Sequence, residues 1–400
     1  MIRCADVSFL RGSNMKKKVL MVHNYYQIGG GEHTVYENEL NLLKKNGHEV
    51  IEYTRKNSEL KKSKIKLLLS PLTTIWSLRT YLEVKEIIER EKIDIVHCHN
   101  TFPLISPSVY YASIKCNVPV IQTIHNFRFV CPGGLLFKNN QSCEECLKKK
   151  SLFPSINHKC YRNSIILTCI VCLMLKFNRI TGIYKKVNYI FLTEFNKNKV
   201  RTILKLDDKK IFVKPNFVNK SKKQLCNVPK KRFIYVGRLD EYKGIRFVIE
   251  NWNRLSIDYD LYIYGDGELR EYVENNVRTN KHIKYFGFKP QSEIFDVLAK
   301  SCALIFSSLC YEGYPMTIIE SFSLGVPVLS VNKGNHGSII DASQAGVTYA
   351  ENDFDDFNIA LNKIINNNNE YRKNSIEYYE KYLDPESNYK ELIKIYEQAK

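Results

Sequence analysis

The stretch KVLMVHNYYQIGGGEHTVYENELNLLKK, Lys18 to Lys45, reads as three pieces. An apolar run ending at His23 suits a short strand, Gly29-Gly30-Gly31 suits a tight loop, and Glu32 to Lys45 has the apolar spacing of a helix. The same alternation recurs along the chain. His48 to Tyr53, Ile93 to His97, Val118 to Thr123 and Tyr189 to Leu192 read as strands, with helices over Thr74 to Glu91, Pro107 to Lys115 and Asn196 to Leu204. Strands alternating with helices imply a parallel sheet covered on both faces. After Val218 comes a polar, lysine-rich linker, 219–231, and then the pattern restarts. Phe233 to Val236, Asp260 to Tyr264, Ile283 to Phe286, Ala303 to Phe306 and Val326 to Val331 are the strands of the second half. The expected fold is therefore α/β. Two doubly wound, Rossmann-like domains, 15–218 and 232–384, face each other across a cleft, and a final helix, 385–400, crosses back to the first domain. Residues 1–14 read as an extraneous or disordered leader ahead of Met15.

Charge divides the chain in the same place. Of 60 basic and 42 acidic side chains, residues 1–230 hold 40 and 17, so the first half is strongly basic and the second mildly acidic. A basic half suits an anionic surface, nucleic acid or membrane, by long-range attraction. Helix-turn-helix, zinc-finger and RNA-recognition signatures are missing, which weighs against a nucleic-acid partner. The longest apolar run, Ile165 to Leu175, is too short to span a bilayer and suits a buried helix or one lying in the membrane interface. The N-terminus has no signal-peptide core, so a cytoplasmic location is expected.

The chemistry concentrates in Glu312-Gly313-Tyr314-Pro315-Met316-Thr317-Ile318-Ile319-Glu320, a loop running into a helix. Amides at a helix start favour an anion, Pro315 suits the first turn, and carboxylates on either side of that anion can hold sugar hydroxyls. Arg238 and Lys243 follow the first strand of the second half. Arg supplies a fork of donors for phosphate and Lys a point charge. With Gly265-Asp266-Gly267 and the Gly29 to Gly31 loop, the order and spacing of these motifs resemble the retaining GT-B glycosyltransferases of family 4, over nearly the whole chain from Met15. The segment His99 to Gly134 is further similar to bacterial members that build cell-surface or capsular polysaccharide.

That resemblance implies sugar transfer from a UDP- or GDP-sugar donor to a glycan acceptor carried on lipid at the inner face of the plasma membrane, with no cofactor required for catalysis. It implies Glu320 at the ribose and Glu312 near the donor sugar. The amides of Gly313, Tyr314, Met316 and Thr317 lie alongside, with His125 a neighbour of the transferred sugar and Phe288 by the base. A nucleotide-sugar epimerase on the same scaffold is the alternative enzyme; it would need no acceptor. Asp353-Phe354-Asp355 has a metal-binding spacing but precedes a helix, where capping is the simpler role.

Cys131, Cys143, Cys146 and Cys160 form a local group in an insertion over 131–162, with C-x2-C at its centre. That spacing suits a four-thiolate structural zinc site, or equally a loop with incidental thiols.

Overall fold

A computed structural model describes residues 16–26, 30–58, 71–220 and 229–399; the leader, Gly29 and most of the linker lie outside the described residues. Twelve of the strands form two parallel six-stranded sheets. The first is ordered β2-β1-β3-β4-β7-β8, from β1 (Lys18–Tyr25), β2 (Glu49–Lys56), β3 (Ile95–Asn100), β4 (Val120–Ile124), β7 (Asn188–Phe191) and β8 (Ile211–Val213). The second is β11-β10-β9-β12-β13-β14, from β9 (Lys230–Val236), β10 (Asp260–Tyr264), β11 (Ile283–Tyr285), β12 (Ser301–Phe306), β13 (Val328–Val331) and β14 (Gly346–Tyr349). β3, β4, β7, β12 and β13 are buried along their full length, because helices cover both faces of each sheet.

Local chemistry sets the boundaries. α1 (Gly31–Lys45) follows the glycine loop directly. The helix expected over Thr74 to Glu91 is interrupted, since Ser77 is extended and accepts from the Thr80 amide at 3.2 Å, so that α2 runs Leu78–Glu91. β8 and β14 escaped the sequence pattern. Both are edge strands of three or four residues, too short to show a period.

The final helix, α15 (Pro385–Gln398), starts from an Asp384 cap that accepts from the Glu386 and Ser387 amides. Its Leu392, Ile395 and Tyr396 pack with Val19, Met21, Tyr36 and Leu40 beneath the first sheet. The second half of the chain thus closes back on the first, as expected. Between 131 and 162 the insertion forms a two-stranded hairpin, β5 (Phe137–Lys138) with β6 (Gln141–Ser142), and two short helices. It leads into α6 (Ile165–Ile180), where Ser164 accepts from the Leu167 amide at 3.3 Å.

Candidate active site

In an open, doubly wound sheet ligands collect at the carboxyl ends of the strands, where the order reverses. In the second sheet that point lies between β9 and β12. A cleft of about 330 Å³ opens there, lined by Val236, Gly237 and Arg238 at the end of β9 and by Phe306, Ser307 and Ser308 at the end of β12. The opposite wall comes from the first half: Gly30, Gly31 and Glu32 at the start of α1, and His125 after β4. Gly313 brings the walls together: a Cβ there would stand 2.4 Å from the His125 carbonyl oxygen. Within the second half, a Cβ on Gly244 (φ +72°) would stand 2.0 Å from the Ser307 carbonyl oxygen.

Glu312 is held from within the second half. Its Oε1 accepts from Lys243 Nζ at 2.7 Å and from Ser308 Oγ at 2.6 Å. Burial alone would raise this carboxyl, but the Lys243 charge and these hydrogen bonds outweigh it and hold the group below the usual range. The ammonium is correspondingly raised by Glu312 against its own desolvation. Lys243 is therefore not a bare phosphate ligand; it reaches the cleft as half of an ion pair.

Helix α11 (Met316–Ser323) begins one residue later than the first-turn position expected for Pro315, which is instead its cap. Gly313, Tyr314, Pro315, Met316 and Thr317 all line the cleft. The Met316 and Thr317 amides precede the helix's own ladder and have no acceptor among the described residues, which leaves them for an anion. Glu320 does not line the cleft. It lies four residues, about 6 Å, further along the same helix face, and accepts from Gln291 Nε2. Burial pushes its carboxyl up to about 7, with the Gln291 bond opposing. Phe288 is also off the cleft, 79% exposed. It follows β11, an edge strand two places from β9, or roughly 10 Å away.

Arg238, half exposed, pairs with Asp240 Oδ2 at 2.8 Å. His125 Nε2 is 3.0 Å from His99 Nδ1, and burial together with the neighbouring histidines keeps its imidazole well below the usual range, hence neutral. The four insertion cysteines are reduced and near enough for Cys131, Cys143 and Cys160 to add to the burial that pushes Cys146 up to about 12. No three of their sulfurs lie within 4.8 Å of one another. Among the described residues that spacing is met by Glu39, His97 and His99, but there Lys214 Nζ already sits 3.3 Å from Glu39. Asp353 caps the helix that follows it, accepting from the Asp356 amide at 3.0 Å.

A family model described as "Glycosyl transferases group 1" matches residues 216–382, and one described as "Glycosyltransferase Family 4" matches 28–148. The chain belongs to the GT-B glycosyltransferases. It is 26% identical over 357 residues to an uncharacterized glycosyltransferase of Methanocaldococcus jannaschii, covering 88% of this chain and 89% of that one. It is 24% identical over 352 residues to the Escherichia coli UDP-Gal:alpha-D-GlcNAc-diphosphoundecaprenol alpha-1,3-galactosyltransferase, covering 82% and 80%. The crystal structure of a glycosyltransferase from Rickettsia africae ESF-5 shares the fold with a TM-score of 0.66 at 19% identity, over 96% of this chain and 98% of that one.

The glycosyltransferase also uses residues that motif spacing did not expose. Asn335, in the first turn of the helix Gly334–Ser343 that follows β13, donates to the carbonyls of Glu312 and Gly313, the latter at 2.7 Å, and Asn216 donates to that of Tyr314 at 3.2 Å. Asn196 joins them at the Gly313 carbonyl, at 3.1 Å. These amides fix the loop's backbone from both halves of the molecule. Only the fold brings them together; asparagines at unrelated positions carry no local signal.

Proposed function

We propose that this glycosyltransferase moves a sugar from a nucleotide-sugar donor, with retention of configuration and without a catalytic metal, to a lipid-linked surface glycan. The supporting observation is the cleft at the strand-order reversal of the second sheet, where free amides of α11, the Lys243–Glu312 pair and Arg238 converge. Such a site suits the diphosphate of a nucleotide, since positive charge is needed where the leaving group becomes negative. Arg238 and the α11 amides hold that diphosphate, and Glu320, further along the helix face, takes the ribose. Glu312 is committed to Lys243 and Ser308, so it positions the donor sugar and need not act as a base. Front-side attack fits: the departing phosphate takes the acceptor's proton, and neutral His125 borders the transferred sugar. Closure over the donor keeps water out.

The partner surface is an anionic membrane at its cytoplasmic face. No helix among the described residues is long and apolar enough to cross a membrane. α6 instead exposes Ile166, Leu173, Phe177 and Ile180 on one face while Val171, Met174 and Leu175 are buried on the other. Exposed Lys148, Lys149, Lys150, Lys159 and Lys176 lie along the same part of the chain. An apolar helix face rimmed with lysine suits a membrane interface.

Thermal shift with UDP, GDP and their sugars tests the donor, because a ligand of the folded state raises the melting temperature. One nucleotide series is expected to do so, and nucleotide release is expected to need a glycan acceptor. If neither series shifts the melting temperature, transfer from a UDP- or GDP-sugar is excluded; conversion of the nucleotide sugar to its epimer without any acceptor favours an epimerase.

A further inference from the structure

A second open cavity, of about 380 Å³, lies beside the donor cleft. Arg128, Arg162 and Arg238 line it together with Asn126, Gly133 and Gly134, and Arg238 lines the donor cleft as well. The first two arginines are brought close by one ring: their guanidinium carbons stand 5.3 and 5.6 Å from the centre of Tyr161. Neither has a carboxylate within ion-pair distance among the described residues. Arg128 donates Nη1 to the Pro132 carbonyl at 2.7 Å and leaves Nε buried without a partner. Glu32 feels the Arg128 charge, but burial outweighs it and pushes the carboxyl up to about 8, so it stays protonated at neutral pH and does not neutralise Arg128. Two unpaired guanidinium groups in one cavity repel each other, and an anion of matching charge relieves that cost.

Two connections leave the cavity. Asn126 Nδ2 donates to Glu32 Oε2 at 3.3 Å, and Glu32 forms part of the donor-cleft wall. In the other direction Arg162 is three residues from Ile165, where the exposed apolar face of α6 begins. An anion held here therefore has the sugar-transfer cleft on one side and the membrane-facing helix on the other.

We propose that this cavity binds the diphosphate of a polyprenyl-diphosphate-linked acceptor, with Arg128 and Arg162 on the phosphates, the acceptor sugar toward Glu32, and the lipid along α6. This rests on the transferase function above and narrows its acceptor. The diphosphate sits beside the reacting cleft, so the acceptor carries few sugars, and the enzyme acts early in chain assembly. Its substrate is then supplied by the class of reaction that transfers a sugar phosphate to a polyprenyl phosphate.

The test is calorimetric binding of undecyl diphosphate to the full chain, with the donor site saturated by whichever of UDP and GDP raises the melting temperature. The wild type is expected to bind it in the presence of the nucleotide. Arg162→Gln is expected to weaken it about ten-fold, the loss of a charge-assisted contact, without changing nucleotide affinity. Arg162 is exposed, so this variant folds; Arg128→Gln in addition should remove binding. Undecyl glucoside, with the same tail and no phosphate, should not bind at comparable concentration. Displacement of undecyl diphosphate by the nucleotide, wild-type affinity in Arg162→Gln, or equal binding of the glucoside would each overturn the assignment. Failure of both nucleotides to bind would instead count against the transferase function, and the Arg162→Gln comparison would still decide the anion site.

Discussion

Glu312 and Lys243 are 69 positions apart in sequence and 2.7 Å apart in the cleft, and each depends on the other for its charge. Glu312→Gln keeps the size of the side chain but leaves the lysine uncompensated and the donor sugar without its anionic neighbour. The expected result in steady-state kinetics is a kcat lower by about 10²-fold with nucleotide affinity retained, the scale seen when a preorganised electrostatic contact is removed. Unchanged turnover would dissociate Glu312 from the chemistry. Both residues were legible as motifs, because they follow strands at glycine-marked turns. Ser308 and Asn335, which hold the same loop, were not; a serine and an asparagine become informative only when folding sets them on Glu312.

Glu32 carries a consequence in pH. Its folded carboxyl titrates at about 8, whereas an unfolded one titrates near 4.3, so between those values the native state holds a proton that the unfolded chain has lost. Stability is lost as pH rises through that window. The buried histidines act oppositely but below their unfolded value of about 6.5; above neutrality Glu32 acts with Glu320, whose carboxyl, pushed up to about 7, contributes at the lower end of the range. Melting temperature measured between pH 7 and 8.5 should fall in the wild type, with a shallower fall in Glu32→Gln. Parallel curves would show that Glu32 titrates normally.

At the scale of elements, α6 turns one face to the core and the other outward, a split that an eleven-residue apolar run cannot reveal. The sequence allowed a buried or an interfacial helix, and six apolar residues with more than a third of their surface open rule out the fully buried one. Ile166→Gln with Ile180→Gln changes only exposed positions. Co-sedimentation with anionic vesicles should drop several-fold while the melting temperature stays within about a degree, since surface changes of this kind cost little stability. Undiminished sedimentation would move the membrane contact elsewhere. The insertion before α6 was legible only as a cysteine count. A proposed zinc there requires the four sulfurs to draw closer than they stand, by side-chain rotation onto the metal. Metal analysis of purified protein decides between the two readings: about one zinc per chain for the four-thiolate site, less than about a tenth for incidental thiols.

On the scale of the whole molecule, repetition of strand and helix was enough to anticipate two sheets and a returning helix, but not what clasps them. Lys214, at the end of the first half, is buried between Glu39 Oε2 at 3.3 Å and Asn388 Oδ1 of α15 at 2.8 Å, and Tyr396 of α15 reaches His97 Nδ1 at 2.8 Å. His97 in turn lies 3.2 Å from Glu39. One carboxylate thus serves the first sheet, the inter-half segment and the final helix. Lys214→Met fills the space with an apolar chain but strands Glu39 as a buried charge, which should cost about 3 kcal/mol or more in urea denaturation. Glu39→Gln added to Lys214→Met removes the stranded charge and should recover a substantial part of that loss. A single variant no less stable than wild type, or a double variant no better than the single, would show that the apolar contacts of Leu392, Ile395 and Tyr396 hold α15 without the buried pair.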